Sequence, residues 1–589
     1  MIKTWSLDEL YKSFDSAEYR ADYELLEHLI KSLDSISETI QSDNSLEEYF
    51  KTLEKIQQTG VKLISYSSLT FSVDTSHEKA LQWRSKLQQL LSKTTAAETR
   101  LTVYLNSIQN IDALISKSEY LKSLTFIIRE QKNKSRYMLS EPEELLLSEL
   151  SITGSKSWNT LQSKLVSKLT APITIDGETK ELPITTIRNY AYDSSPEVRK
   201  MAYETELSAY KNISEAVAMA LNSIKGEVIT TSKMRGYESP LHMTLTESRM
   251  TKGTLDAMMK AIENSLPEFQ KYLKKKSEVL GHKGGLPFYD LFAPVGSFSK
   301  QYSFEEGSRF VVDNFRSFSD KLADVAQMAL DNHWIDVEPR QGKVSGAFCA
   351  SLHPLGQFRV MLNYTGNLSD VTTMAHELGH GYHAICTNDE HILNTHYPMP
   401  LAETASTFCE TIVNNAALKI ASVDESITIL ENSLQDATQV ICDIFSRYTF
   451  ETNLFENRSD HPLSVAELNE LMMDAQKRAY GEDLDADILH PYMWLIKPHY
   501  YSAERNFYNF PYAFGLLFAK GLYAKYLENP EYFKANYDNL LAVSGRLSII
   551  DVCKTMSIDV ESVDFWDASL SIIKKDIDLF IKLTSEEAL

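Results

Sequence analysis

Glycine and proline are scarce, at 21 and 17 residues in a chain of 589, where average usage would give roughly 7% and 5%. So few breakers exclude a turn-rich β architecture and favour long uninterrupted helices. Cysteine is scarcer still. Cys349, Cys386, Cys409, Cys442 and Cys553 are odd in number, widely spaced and absent from the first half, a poor disulfide framework that fits a reducing compartment. No run of about eighteen apolar residues occurs. The nearest candidate, residues 511–523, is short and interrupted by Gly515, Lys520 and Gly521. Met1 to Leu10 has no apolar stretch behind its single lysine, so no secretory leader is expected and the expected location is cytoplasmic. Basic charge is in deficit as well, with 59 lysines and arginines against 81 acids and a net charge of −22. That balance repels phosphate backbones and anionic lipid surfaces, which argues against nucleic acid and membranes as partners.

What remains is ample for a packed body, since 43% of residues are apolar and 10% aromatic, unlike a disordered chain. From Tyr23, the residues Leu25, Leu26, Leu29, Ile30, Leu33 and Ile36 recur at spacings of three and four, predicting an amphipathic helix with one buried face. Ser140, Pro142 and Glu143 read as the cap and first turn of another helix through Leu150. Residues 171–179 change texture: β-branched runs flank Asp176-Gly177, a pair suited to a hairpin turn, and a boundary is placed near here. Ser195-Pro196-Glu197 starts a helix expected to persist through Ser232. Gly281 to Gly296, with four glycines and two prolines, is the clearest loop, and it lacks the glycine order of a phosphate-binding turn. Phe358 to Tyr364, bounded by Gly356 and Gly366, reads as a strand. From Asp370 onward the pattern is helical again. No internal repeat is evident.

The chemistry concentrates at His376-Glu377-Leu378-Gly379-His380. Positions four apart share a helix face, so both imidazoles can meet one metal ion while Glu377 reaches a water beside it. With fourteen histidines, a chance HExxH in a chain of this size arises on the order of three times in a hundred. The competing reading is a pair of ordinary helix histidines. Tetrahedral zinc would need a third protein ligand. His383 lies on a nearby face of the same helix, but a rigid helix rarely brings three such rings to one ion. The metzincin pattern would need histidine at Cys386, and fails there. Glu403, in a helix starting after Pro398 and Pro400, is the better candidate, though an acid in a first turn also simply suits the helix dipole. Glu410, two turns further, is either an acceptor for the second N–H of a metal-bound histidine or a solvated glutamate. Gly379 and Gly381 cost roughly 1 kcal/mol each against alanine, which close approach of the second helix or of a substrate would explain.

His376 to His383, with Ala402-Glu403-Thr404-Ala405-Ser406-Thr407, resembles the core of the M3 metallopeptidases, the thimet oligopeptidase and oligoendopeptidase F group. The resemblance runs from about Asp193 to the end of the chain. It is weaker in the preceding helices and hairpin, which suggests an N-terminal helical region at 1–190 and a catalytic domain at 191–589. It implies a mostly α, two-lobed helical body with a deep channel and a small β-sheet at the cleft edge, the latter in residues 342–364. It also implies one Zn²⁺ per chain on His376, His380 and Glu403, with Glu377 as catalytic base and His383 and Glu410 near the metal or the substrate. The segment 497–512 is similar to the family's histidine and tyrosine segment, and its implied oxyanion donors are His499, Tyr508 and Tyr512. The expected activity is zinc-dependent endopeptidase action on short unstructured oligopeptides, with the Phe358–Tyr364 edge binding substrate backbone. The alternatives are a helical metallocarboxypeptidase and a non-catalytic peptide-binding protein. The oligomeric state is not legible.

Overall fold

The computed structural model describes residues 3–40, 42–175, 177–296 and 300–585. The described residues are 71% helical with only two small sheets, as the shortage of breakers requires. It divides into two compact units, each assembled from three stretches of chain. The first comprises residues 1–137, 299–417 and 525–558, and the second comprises residues 138–298, 418–524 and 559–589.

In the first unit, the helix Ala17–Glu38 is capped by Ser16, whose hydroxyl accepts from the Tyr19 N–H, and it buries Leu26, Leu29, Ile30 and Leu33. Leu25 departs from the expected apolar face and is 44% exposed, because it stands about 100° around the helix from Leu26. Tyr11, Phe14, Tyr19 and Tyr66 pack edge to face beside this stripe. The same core takes in Leu352, Ile392 and Leu393, so the first helices are buried against the stretches of chain on either side of the HExxH helix. The three-stranded sheet of this unit contains β3 (Ile335–Asp336), β4 (Phe348–Leu352) and β5 (Gln357–Met361) in the order β3-β5-β4. β5 runs parallel to β3 and antiparallel to β4. Asp336 fastens the intervening chain through Lys343 at 2.7 Å and Arg340 at 2.6 Å.

In the second unit, Ser140 and Glu143 form a reciprocal cap on the helix Glu141–Thr153. The hairpin of β1 (Thr170–Ile175) and β2 (Glu178–Pro183) is antiparallel, with Gly177 at φ +77° in its turn; Asp176 lies outside the described residues. Ser195 caps its helix as expected, but that helix ends at Tyr210 and a second spans Ser214–Met234, so one continuous helix to Ser232 is not formed. The Gly281–Gly296 loop is anchored by a bridge between Leu286 and Leu484. A side chain at Gly285 would meet the Asp485 backbone at 2.7 Å, so glycine is needed for that approach. Two fully buried lysines of this unit are paired, Lys225 with Glu451 at 2.8 Å and Lys276 with Glu431 at 2.6 Å, which offsets the cost of burying their charge.

Candidate metal centre

The helix carrying HExxH spans Leu368–Cys386. Its start is over-determined: Asn367 Oδ1 accepts from the Asp370 N–H at 2.9 Å, and Asp370 Oδ2 accepts from the N–H groups of Thr365 and Gly366 at 2.7 and 2.9 Å. Its two glycines have different partners. A Cβ at Gly379 would stand 2.7 Å from both Ala405 O and Ser406 Cα, so this glycine lets the Thr404–Ile420 helix approach, as expected. A Cβ at Gly381 would instead strike the ring of Phe358 on β5 at 2.4 Å. Gly381 therefore serves packing on the sheet, and neither the second helix nor a substrate is needed to explain it.

Glu403 is not in the first turn of a helix. It sits at the junction between the short helix Met399–Ala402 and the helix Thr404–Ile420, which frees its side chain from either helix face. The structure brings its Oε2 to 3.3 Å from His376 Nε2 and 3.4 Å from His380 Nε2, while the two imidazole nitrogens are 3.1 Å apart. These three residues form the one group able to hold a metal ion among the described residues. A triangle with edges averaging about 3.3 Å is one face of a tetrahedron whose centre lies about 2.0 Å from each corner, the distance zinc keeps from imidazole nitrogen and carboxylate oxygen. Two nitrogens and one oxygen are also the donor set of a hydrolytic zinc site with an open fourth position. The residues fit the ion.

The surroundings support that set. His376 Nδ1–H donates to Glu410 Oε1 at 2.7 Å, which leaves Nε2 as the atom turned to the metal position. Ser406 Oγ–H donates to Glu403 Oε2 at 2.8 Å. Burial opposes charge on His376, yet the carboxylates of Glu403 and Glu410 outweigh it and lift the imidazole to about 10. Burial likewise opposes the Glu403 charge, but His376 and His380 hold that carboxyl down at about 2. His380 is pushed down to about 4, by burial first. Glu377 is 5% exposed. Burial, reinforced by the Glu403 and Glu410 charges against the opposing pull of His376, lifts it to about 7. Its Oε2 is buried without a hydrogen-bond partner, an orphan acceptor of the kind that structures retain for a ligand or a reaction.

A cavity of about 350 Å³ opens over these groups, lined also by Phe348, Cys349 and Ser351 of β4 and by Tyr397. Sequence reasoning did not single out Tyr397, Cys349 or Ser406, because no spacing rule links them to the HExxH helix. His383 turns away from the ligand triangle: it is fully buried, stacks on Tyr397 at 4.2 Å and bonds Ser544 Oγ at 2.9 Å. The expected strand edge at Phe358–Tyr364 is not an edge. β5 is the central strand, because its far side is bonded to β3 and its neighbours, with Val360 N–H to Trp334 O at 2.9 Å and Leu362 N–H to Asp336 O at 2.8 Å. The outer strand beside the cavity is β4. In the second unit, His499, Tyr508 and Tyr512 gather into one aromatic cluster, with ring centroids 5.7 Å apart for His499 and Tyr508, 6.1 Å for His499 and Tyr512, and 5.7 Å for the two tyrosines. Burial lowers the pKa of His499, aided by Arg447 and Lys497. Tyr501, seven residues before Tyr508, shares no helix face with it. Its hydroxyl is buried against Trp494 O at 3.1 Å.

The fold and this site define a helical peptidase of the HExxH class. Residues 189–572 match the model of peptidase family M3, and residues 107–170 match that of oligopeptidase F; the chain belongs to family M3. It is 25% identical to the oligoendopeptidase F homolog of Lactococcus lactis, over 99% of this chain and 97% of that protein. It is 23% identical to the oligopeptidase PepF of Bacillus subtilis, over 98% and 86%. Among solved structures, a Chlamydophila abortus protein described as a peptidase superposes with a TM-score of 0.86 at 23% identity, over 99% and 98% of the two chains. Oligoendopeptidase-F from Enterococcus faecium superposes with a TM-score of 0.72 at 18% identity, over 96% and 98%. The protein is a peptidase of the oligopeptidase kind. No helix among the described residues is long and apolar enough to cross a membrane.

Proposed function

We propose that this protein is a zinc-dependent endopeptidase acting on short unstructured oligopeptides. The observation that carries the proposal is the 3.1–3.4 Å triangle of His376 Nε2, His380 Nε2 and Glu403 Oε2, with the unpartnered Glu377 Oε2 buried beside it. Those three atoms would hold the zinc. Zinc, when bound, supplies Lewis acidity toward a carbonyl oxygen and makes water acidic near neutral pH. Glu377 takes the proton of the attacking water on its carboxylate and returns it to the leaving amine nitrogen, so no net proton is consumed in the cleavage itself. Glu410 holds the Nδ1–H of His376 and thereby fixes its tautomer. The outer edge of β4 pairs with substrate backbone, a contact that reads no side chains and suits broad specificity. His499 and the hydroxyls of Tyr508 and Tyr512 are the proposed donors to the carbonyl oxyanion. Support for them is their clustering and their place in a segment that resembles the family's.

Two variants test the assignment. Glu377→Gln should retain stoichiometric zinc and lose turnover; undiminished hydrolysis would sink the mechanism. Glu403→Ala should release metal, and full zinc content in that protein would refute the third ligand. Digestion of peptides blocked at both ends, resolved by mass, separates internal cleavage from carboxypeptidase action.

A further inference from the structure

The second unit encloses a cavity of about 370 Å³ that the proposed chemistry does not use. Its walls are aromatic: Tyr203 lies 5.8 Å from Tyr289, Tyr192 lies 5.2 Å from Phe292, and Phe288 packs at 5.1 Å on His490. Tyr192, 57% exposed, marks the solvent end. The polar groups inside do not balance. Glu206 is taken by Arg188 at 3.0 Å and also accepts from Tyr210 at 2.8 Å and bonds His490 at 3.2 Å. Asp443 is held by Arg447, four residues along the same run of helix. Arg199 is bonded to Asp290 at 2.7 Å, with a 3% exposed side chain. Each carboxylate in the cavity wall therefore has its own arginine. The ammonium of Lys497, which also lines the cavity, makes no hydrogen bond or ion pair with the described residues. Burial holds its pKa down to about 8, with Asp443 opposing and Arg447 and Arg188 adding to the effect; it is still mainly a cation at neutral pH. A half-buried ammonium whose nearest carboxylate, Asp443, is already held by Arg447 is only partly compensated, and an anion that joins it is stabilised.

We propose that this cavity binds a small carboxylate on an aromatic body, of the size of an N-acylated amino acid, with the carboxylate on the Lys497 ammonium and the ring among Tyr203, Phe288 and Tyr289. The aromatic walls supply apolar area, and one convergent charge supplies orientation, the usual division of labour in a ligand pocket. Gln439, also in the wall, offers its amide to the peptide-like group of such a ligand, and Gln435, whose Nε2–H donates to Leu291 O at 3.4 Å, offers its carbonyl.

The test is calorimetric titration of the whole protein with N-acetyl-L-phenylalanine and, separately, with its neutral primary amide. The carboxylate should bind at least tenfold more tightly than the amide. Lys497→Met should weaken the carboxylate at least tenfold and leave the amide unmoved, while Lys497→Arg, which restores the charge, should recover most of the affinity. Melting temperatures of both variants establish that they are folded. The same titration in Glu403→Ala separates this pocket from the proposed metal centre, because affinity there should persist. Loss of binding in Glu403→Ala, equal affinity for acid and amide, full affinity in a folded Lys497→Met, or no binding at millimolar ligand would each overturn the proposal. None of these outcomes depends on peptide turnover.

Discussion

Gly379→Ala is the substitution through which this architecture is most directly tested. The new methyl would stand 2.7 Å from Ala405 O and from Ser406 Cα, and both are backbone atoms that no rotamer change can remove. Ordinary carbon contacts begin near 3.4 Å, so the two helices must part by about 0.7 Å. Alanine in a helix interior gains about 1 kcal/mol over glycine, whereas overpacking of this kind costs about 1–3 kcal/mol. The net change in stability is thus small, a loss of about 0–2 kcal/mol, and is not the decisive readout. Metal affinity is decisive. The displaced backbone includes Ser406, which orients Glu403 through its 2.8 Å hydrogen bond, and Glu403 closes the ligand triangle from that side. Metal ligands tolerate errors of only about 0.2 Å, so zinc affinity should fall by at least about tenfold, as it does when a ligand's support is removed. Competition against a chromophoric chelator measures this, with denaturant unfolding as the control. A variant that gains about 1 kcal/mol and holds zinc as tightly as the parent would refute the claim that Gly379 sets the distance between the ligand-bearing segments.

Two further outcomes follow from the same geometry. Glu410→Ala removes the acceptor for His376 Nδ1–H and should lower zinc affinity by about 10–100-fold, with Glu410→Gln recovering part of it in the same chelator assay. His383 is held neutral, chiefly by burial and secondarily by His380, with its pKa pushed down to about 3. A histidine whose folded pKa lies below its unfolded value of about 6.5 gives stability that is complete above pH 6.5 and is lost as pH falls toward 3. The loss amounts to on the order of 5 kcal/mol at the acid end. His383→Phe should flatten the fall in stability between pH 6.5 and 4 in denaturant titrations, and an unchanged slope would refute the buried-neutral assignment.

Much of the helical framework was legible because its causes are local. The Ser16, Ser140 and Ser195 caps stand where hydroxyl and proline spacing put them, and the stripe through Leu26, Leu29, Ile30 and Leu33 is buried as its period requires. Leu25 and the break at 211–213 were not legible, since apolar character alone does not say where one face ends or where a helix stops. The strand at Phe358 is legible in the sequence, but its place in the sheet is not. Composition marks a strand, while β3, brought in from residues 335–336, decides that β5 is interior and β4 outermost.

At the site itself the division is similar. The four-residue spacing of His376 and His380 determined by itself that both imidazoles share one helix face, because that geometry is a property of the α-helix and needs no partner. The scarcity of glycine and proline likewise determined a helical body. Only the tertiary structure decided which carboxylate completes the triangle. Glu403 lies beyond a stretch of turns and short helices, and its approach depends on a backbone contact at Gly379 that no periodicity encodes. Nor could the sequence distinguish Lys497 from any other lysine, because a charge becomes unpaired only when folding has given each nearby carboxylate to another residue.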